Sequence, residues 1–516
     1  ETLRASASDI SVDERQAATN FATRILLSDQ EVKNQLVPHL KSLCGHPDSF
    51  NGLLLESLLY NLTNDSAHLD NLSSYLPDYA PEFLEAAGTF MAVRSLLFLA
   101  TPEQRAVLEK YFTREFTKKL FNIKLSFINQ KYDQIASNKK SEFQRNNIVV
   151  ILTPQFLGPP HAPSLDALNF AKTLITEFHK TVVLIETSLF STTYTGALVP
   201  EVAASRNKVL DGATEVKYGG VVIPFMSCGE GVLSEQAIVD GIAAVDAISP
   251  EMILCVGEPA VLAEPFNERC FCFIYPLGNG LPHIQNTHFQ MYSGPSELEK
   301  ISMEQEGISD RHLFTHQYDL MVKPKSRSLN REQFAIPSDS FVFSVVGMRL
   351  ETEVDAALLN MLQKIALNSK AHFMFAGNFD NYETKLAAYE GLKNRTTYIG
   401  FHTDIMAVHN ITDVFINPAR SGGGTGVVYA LQAELPVLSL AVGDGGLVTK
   451  NFPIITDYIH MADIALDMII NPQLVEEYKE ISRNEAPQFS GQLIKRIMGE
   501  FEKFAALKRP DDEKSG

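Results

Sequence analysis

Apolar residues recur at helical spacing along Phe21–Leu27, Leu53–Leu62, Phe83–Leu99 and Phe112–Ile135. Glycine and β-branched runs are scarce there, and breaks fall at Gly45–Asn51, Leu76–Pro81 and Thr101–Pro102. The pattern predicts a bundle of about six helices over residues 1–143, a packing or interaction domain. The character changes at Asn147. A β-rich run, Asn147–Thr153, is followed by a proline-rich polar loop, Pro154–Ser164, a helical pattern, Leu165–Phe178, and a second strand, Thr181–Glu186. Strand, loop, helix, strand opens a doubly wound parallel sheet. Gly220–Pro224, Met252–Val256 and Cys270–Tyr275 continue it as strands, with a helix over Ser234–Ala247.

A second alternation begins at Ser340–Val346, a strand that runs into a loop, Gly347–Glu351, and a helix, Glu353–Leu367. Strands at His372–Ala376, Thr397–Gly400, Asp413–Asn417 and Val437–Leu440 follow, with helices at Tyr382–Leu392 and Asp404–His409. Asp404 reads as the N-cap of the latter. The tail, Leu474–Leu507, reads as helices that brace the two α/β domains. The fold class is therefore α/β: a helical domain (1–143), a first Rossmann-like domain (144–325) and a second (326–516). Ligands of such sheets lie at the carboxyl ends of the strands, here in a cleft between the two.

The most informative stretch is Asn417–Leu440, in which Gly422, Gly423 and Gly424 link a strand to an amphipathic run, Thr425–Glu434. A glycine loop opening a helix aims peptide N–H groups and the helix N-terminus at an anion. Thr425 can cap the helix or donate its hydroxyl to that anion. The spacing is neither G-x-x-x-x-G-K-[ST] nor G-x-G-x-x-G, which sets aside an ATPase P-loop and the standard dinucleotide fingerprint. Another phosphate-bearing ligand is the natural reading.

Composition narrows this little further. The chain has 516 residues, 45% hydrophobic and 21% charged, with net charge −18. A nucleic-acid footprint needs basic clustering, and the patch Lys323–Arg331 reads as a solvated linker. The five cysteines lack paired C-x-x-C spacing, which disfavours a disulfide framework or a zinc site and fits a reduced, cytoplasmic setting. No apolar run reaches the length of a membrane span and no secretory signal opens the chain.

The segments VVGMRLETEVD (345–355), YIGFHTDIMAVHNITDVFINPARSGGGTGVVYALQAELPVL (398–438) and TPQFLGPPHAPSLDALNFAKTL (153–174) resemble bacterial nucleotide-sugar glycosyltransferases of the GT-B fold. The arrangement is similar to the O-GlcNAc transferase and adhesin N-glycosyltransferase group, whose members also carry a helical N-terminal domain. The resemblance implies a UDP-sugar donor, a glycan or protein acceptor, no further cofactor, and a helical domain that shapes the acceptor side or holds a protein partner or second copy.

It also implies roles residue by residue. Arg349 and Arg420 would grip the donor diphosphate, joined by the loop amides of Gly423, Gly424 and Thr425, which would stabilise the leaving group. An ion pair of Arg349 with Glu351 or Glu353, or a salt bridge of Arg420 that holds the loop, are the alternatives. Gly400, Phe401 and His402 would meet the nucleotide base, and Asp444 of GDGG (443–446) a donor hydroxyl. His161, in a loop similar to the H-P-T-S stretch of that group, is the catalytic candidate, a proton acceptor or sugar contact. Gln155, Ser164 and His283 would face the acceptor side. The chain departs from the pattern at Val427, Val428 and Tyr429, where an acidic residue commonly meets the ribose. The retaining-type pattern of two glutamates separated by seven residues is also absent from the glycine-loop segment, which favours inversion. No D-x-D occurs, which favours a metal-independent reaction with arginine and helix dipole in place of an ion. Two rivals are a nucleotide-sugar isomerase of the same fold and a catalytically inactive partner protein.

Overall fold

The computed structural model describes residues 12–508 apart from 27, 44–48, 101, 137–141, 160, 192–195, 199–205, 258–259, 278–279, 293, 310–312, 317–327 and 490. Parts of the expected breaks at 45–51 and 101–102, and most of the basic patch 323–331, lie outside the described residues. The chain divides into two compact units, residues 1–99, 103–314 and 494–516 in one, and 100–102 with 315–493 in the other.

Among the described residues, seven helices lie between Val12 and Ile135, against about six expected from the periodicity. The longest, Arg114–Ile135, is capped by the Thr113 side chain and buries Phe116, Leu120, Phe121, Leu125, Ile128 and Tyr132 on one stripe. Those side chains do not close a core of their own. Phe121, Leu125, Ile128 and Tyr132 share one hydrophobic cluster with Val150, Leu152, Ile185 and Ile253 of the sheet. The helical region is therefore one wall of the first unit.

Eight strands build the first sheet: β1 (Ile148–Thr153), β2 (Thr181–Glu186), β3 (Glu215–Tyr218), β4 (Val221–Ser227), β5 (Met252–Val256), β6 (Phe271–Tyr275), β7 (His288–Tyr292) and β8 (Leu313–His316). Their order is β3-β4-β2-β1-β5-β6-β7-β8. The central strands are parallel and nearly continuous in apolar residues, as burial on both faces requires. β3 pairs antiparallel with β4 through the Gly219–Gly220 turn, both glycines at positive φ, a hairpin signal that the alternation reading passed over. The last helix, Leu493–Leu507, also belongs here from Ile494 on. Phe501 is fully buried against Phe271 and Phe143 at 6.0 and 6.3 Å between ring centroids, so the expected second domain ends earlier than 516.

The second sheet has five parallel strands, β9 (Phe341–Gly347), β10 (Ala371–Gly377), β11 (Thr396–Tyr398), β12 (Val414–Asn417) and β13 (Val437–Ser439), in the order β11-β10-β9-β12-β13. An all-helical region before two Rossmann-like parallel sheets is the GT-B set of elements. No helix among the described residues is long and apolar enough to cross a membrane.

One buried group in this unit is at odds with its surroundings. His409 is 1% exposed, packs edge-on to Phe415, and neither ring nitrogen has a hydrogen-bond partner. Burial pushes it down from 6.5 to about 3. Its folded-state value is depressed, so the unfolded chain binds more protons between those limits. The stability tied to its neutrality is complete above about pH 6.5 and is lost as pH falls towards 3. His409→Leu should raise stability at neutral pH by about 1–3 kcal/mol and flatten the acid side of the stability curve, both read by denaturant unfolding between pH 4 and 8.

Candidate functional site

Parallel sheets of this kind take ligands where the strand order reverses, outside the carboxyl ends. In the second sheet the chain leaves β9 for β10 and β11 on one side, then returns to β12 and β13 on the other. The reversal lies between β9 and β12, and the two loops that leave those strands carry Arg349 and the three glycines.

These loops are locked by a buried polar node. Arg420 is 9% exposed. Its Nη1 meets Glu353 Oε2 at 2.6 Å, its Nη2 donates to the Val346 carbonyl at 3.1 Å, and Nε and Nη2 both donate to Asn417 Oδ1. Asn417 in turn donates to Ser439 Oγ at 3.0 Å, tying the ends of β12 and β13. Arg349 Nη2 donates to the other Glu353 oxygen at 2.9 Å. One carboxylate thus serves two guanidiniums. Of the alternatives for Arg420, the structure shows the salt bridge that holds the loop; for Arg349 it shows the Glu353 pair, on a side chain still 30% exposed.

Glycine is required where this node is tightest. Gly423 is left-handed at φ +93° and caps the helix Gly424–Gln432; a Cβ there would lie 2.6 Å from Arg420 Nε. Gly443, at φ +59°, lets the helix Gly443–Val448 seat on the loop: its Cβ would lie 2.0 Å from the Arg420 carbonyl oxygen. The peptide N–H groups of Asp444 and Gly445 donate to the carbonyls of Ser421 and Gly422. GDGG is therefore a helix start, with Asp444 in its first turn beside the glycine loop. Gly422 differs, since a Cβ there meets nothing within 4 Å. The space beside that residue is open, next to the helix N-terminus that starts at Gly424. Thr425 lies half-buried in the first turn.

The loop after β11 carries the other donor-side candidates. Gly400 is at φ +74° with nothing within 4 Å of a Cβ, and Phe401 is 47% exposed, a surface ring and not core. His402 turns back on its own turn, its Nε2–H donating to the Ile399 carbonyl at 3.0 Å. Asp404 caps the next helix, accepting from the Ala407 N–H at 3.0 Å as expected. Val427 and Val428, where the resemblance leads one to expect an acid, are fully buried core.

In the first sheet the order reverses between β1 and β5. The loop after β1 holds Gln155, half-buried, whose carbonyl accepts from Thr153 Oγ1. His161 caps the helix Ala162–Thr176, with Nδ1 2.8 Å from Ser164 Oγ, which also accepts the Leu157 N–H at 2.9 Å. Ser164 is completely buried and therefore orients His161 without reaching a ligand. Burial pushes His161 down to about 4, so its imidazole is neutral at pH 7.

Two corrections follow. His283 does not face a ligand space: it is buried between the rings of Phe90 and Phe121, with Nε2 2.9 Å from Thr117 Oγ1. Burial and nearby cations, Arg114 first, hold it well below its usual value. The carboxyl that the sequence reading missed is Asp166, one turn beyond His161 on the same helix. It is partly exposed, accepts a hydrogen bond from the hydroxyl of Tyr275 at the carboxyl end of β6, and is pushed up by burial to about 7. A lone acid among the apolar residues of SLDALNFAKTL was the available signal.

Residues 326–451, which span the whole second sheet, match the family described as glycosyl transferases group 1. This segment is similar to group 1 glycosyltransferase domains. No curated protein matches the chain. Among solved structures, Anabaena HepE in complex with UDP-glucose is 12% identical over 69% of this chain and 99% of its own, with a TM-score of 0.48. A Thermobaculum terrenum O-GlcNAc transferase mutant is 12% identical over 96% of this chain and 97% of its own, TM-score 0.42. S. aureus TarM in complex with UDP is 11% identical over 52% of this chain, which spans 59% of that relative, TM-score 0.40. In the matched segment, then, Arg349, the glycine loop and the helix start at Gly443 meet at one strand-order reversal. In the first sheet, His161 and Asp166 lie beside a separate reversal.

Proposed function

We propose that the chain transfers a sugar from a nucleoside diphosphate sugar, UDP-linked, to a hydroxyl of a glycan or protein acceptor. The observation that carries this reading is the second sheet's reversal point, where open space beside Gly422 adjoins a helix N-terminus and Arg349 is tied to the loop's Arg420 through Glu353. Partial positive charge at the helix start and the Arg349 guanidinium would take up the negative charge that builds on the departing diphosphate, the task a divalent cation performs in other designs. The exposed Phe401 ring and the permissive Gly400 backbone supply a face for the base. In the first unit, Asp166 suits the acceptor's proton better than His161, because a group that titrates near working pH balances availability and basicity. In the transfer the acceptor O–H bond breaks and its proton goes to the Asp166 carboxylate. The new bond to the sugar's anomeric carbon forms as the bond to the diphosphate breaks, and that electron pair leaves with the nucleotide. The four described cysteines are free and buried, which fits a reducing compartment.

Thermal-shift measurement against nucleoside diphosphates and their sugars tests the donor half. UDP and UDP-sugars should stabilise the second unit in proportion to ligand excess, and Arg349→Ala should remove most of the shift with the fold kept by the Arg420–Glu353 pair. Equal shifts with every nucleotide, or none, would sink the reading. Product from an added acceptor, with the anomer read by NMR, separates a transferase from an isomerase.

A further inference from the structure

Glu353 is a singular residue in the donor site. Its side chain is 8% exposed and each carboxylate oxygen serves a different arginine. The two arginines are unequal. Arg420 is held on all sides, by Glu353, by the Val346 carbonyl and by two bonds to Asn417, with the backbones of Gly347 and Gly423 pressed against it: a Cβ at Gly347 would lie 2.8 Å from both Arg420 Nη1 and Glu353 Oε2. Arg349 meets Glu353 through a single oxygen, at 2.9 Å from Nη2 and 3.2 Å from Nε, and its side chain is 30% exposed against 7% for Arg420. Within this triad two positive charges share one negative charge. A carboxylate presents to a guanidinium the same pair of oxygens as a phosphate.

We infer that Glu353 is an internal stand-in for the donor's diphosphate, a positioning residue that holds Arg349 while the site is empty and yields it when the anion binds. The inference rests on the proposed diphosphate site. Arg420 stays on Glu353 throughout, so the loop keeps its shape while Arg349 changes partner. The exchange costs the pair Arg349–Glu353 and the repulsion between Glu353 and the incoming anion, so the residue lowers affinity for the donor and for the nucleotide product alike. Product release is often the slow step of such enzymes, and a resident competitor for the same arginine speeds it.

The test is calorimetric titration of the full chain with inorganic pyrophosphate and with UDP. Glu353→Gln should bind pyrophosphate about tenfold more tightly, because Arg349 no longer has to leave a carboxylate for the anion, and the gain should vanish when the same change is made in Arg349→Gln, because it acts through Arg349. A purely structural Glu353 would give equal or weaker binding in the single variant, and that result overturns the inference. Should Glu353→Gln fail to fold, the wild-type chain labelled with 15N-arginine gives the answer: pyrophosphate must move the Arg349 Nε–H signal and leave that of Arg420 in place. Both signals moving, or neither, overturns it. If pyrophosphate and UDP do not bind the wild-type chain at all, the donor site itself falls and the inference with it. If they bind and Glu353→Gln changes nothing, only the inference falls.

Discussion

Gly443→Ala should abolish nucleotide binding while the first unit stays folded. The substituted methyl group would lie 2.0 Å from the carbonyl oxygen of Arg420 and 2.5 Å from that of Ser421, both backbone atoms with no rotamer to give way. The position is also left-handed at φ +59°, which costs a non-glycine residue roughly 1–2 kcal/mol by itself. The helix Gly443–Val448 must therefore lift away, breaking the hydrogen bonds from Asp444 and Gly445 to the glycine loop. A loss of about 3 kcal/mol or more from the second unit is expected, with UDP no longer shifting its melting temperature. Gly422→Ala is the matched control. Its φ is not positive and its methyl group meets no protein atom within 4 Å, so the fold should hold. If the ligand occupies that space, affinity should still fall. Calorimetry and thermal unfolding on the two variants separate loop shape from ligand contact, and wild-type affinity in Gly443→Ala would show that the loop is not the receptor.

The second large effect belongs to Asp166. Asp166→Asn should leave UDP affinity unchanged and lower the transfer rate by about 10²–10⁴-fold, the usual worth of a positioned general base. In the wild-type chain the rate should fall with acid below about pH 7, as the carboxylate that must accept the proton becomes protonated. Asp166→Asn should lose that limb. Burial raises this group and the Tyr275 hydroxyl opposes the rise, so Tyr275→Phe should move the limb to higher pH. His161, already neutral down to about 4, has no limb to give in that range, and His161→Ala should lower the rate without altering the shape of the profile. A kcat–pH series on the four proteins decides it. Full activity in Asp166→Asn would remove the carboxyl from the chemistry.

Features fixed by neighbouring residues could be read in advance. The glycine loop, the Asp404 cap and the central strands follow from spacing, because caps, turns and burial alternation act over a few residues. Arg349 was singled out by the family resemblance, and its place just after β9 is where the second sheet reverses. What could not be read depends on partners far apart in sequence. Arg420 and Glu353 are separated by 67 residues, and only the packed loops show that one carboxylate serves both arginines. His283 looked like a loop histidine because Gly278–Gln285 is rich in turn residues, yet it is buried by Phe90 and Phe121 from the helical region. Asp166 was passed over as one polar position in an amphipathic pattern. Its unusual chemistry comes from Tyr275, on a strand more than a hundred residues later.

The helices before the first strand are not an appendage. Their long member shares one core with β1, β2 and β5, together with Ile238, Ile242 and Val245 of the helix Glu235–Ile248. A minimal enzyme cannot be cut from this chain at Asn147. Such a fragment would strip Phe121, Leu125, Ile128 and Tyr132 from the core around Val150, Leu152 and Ile253, and recombinant work on the catalytic half has to carry the whole N-terminal third with it.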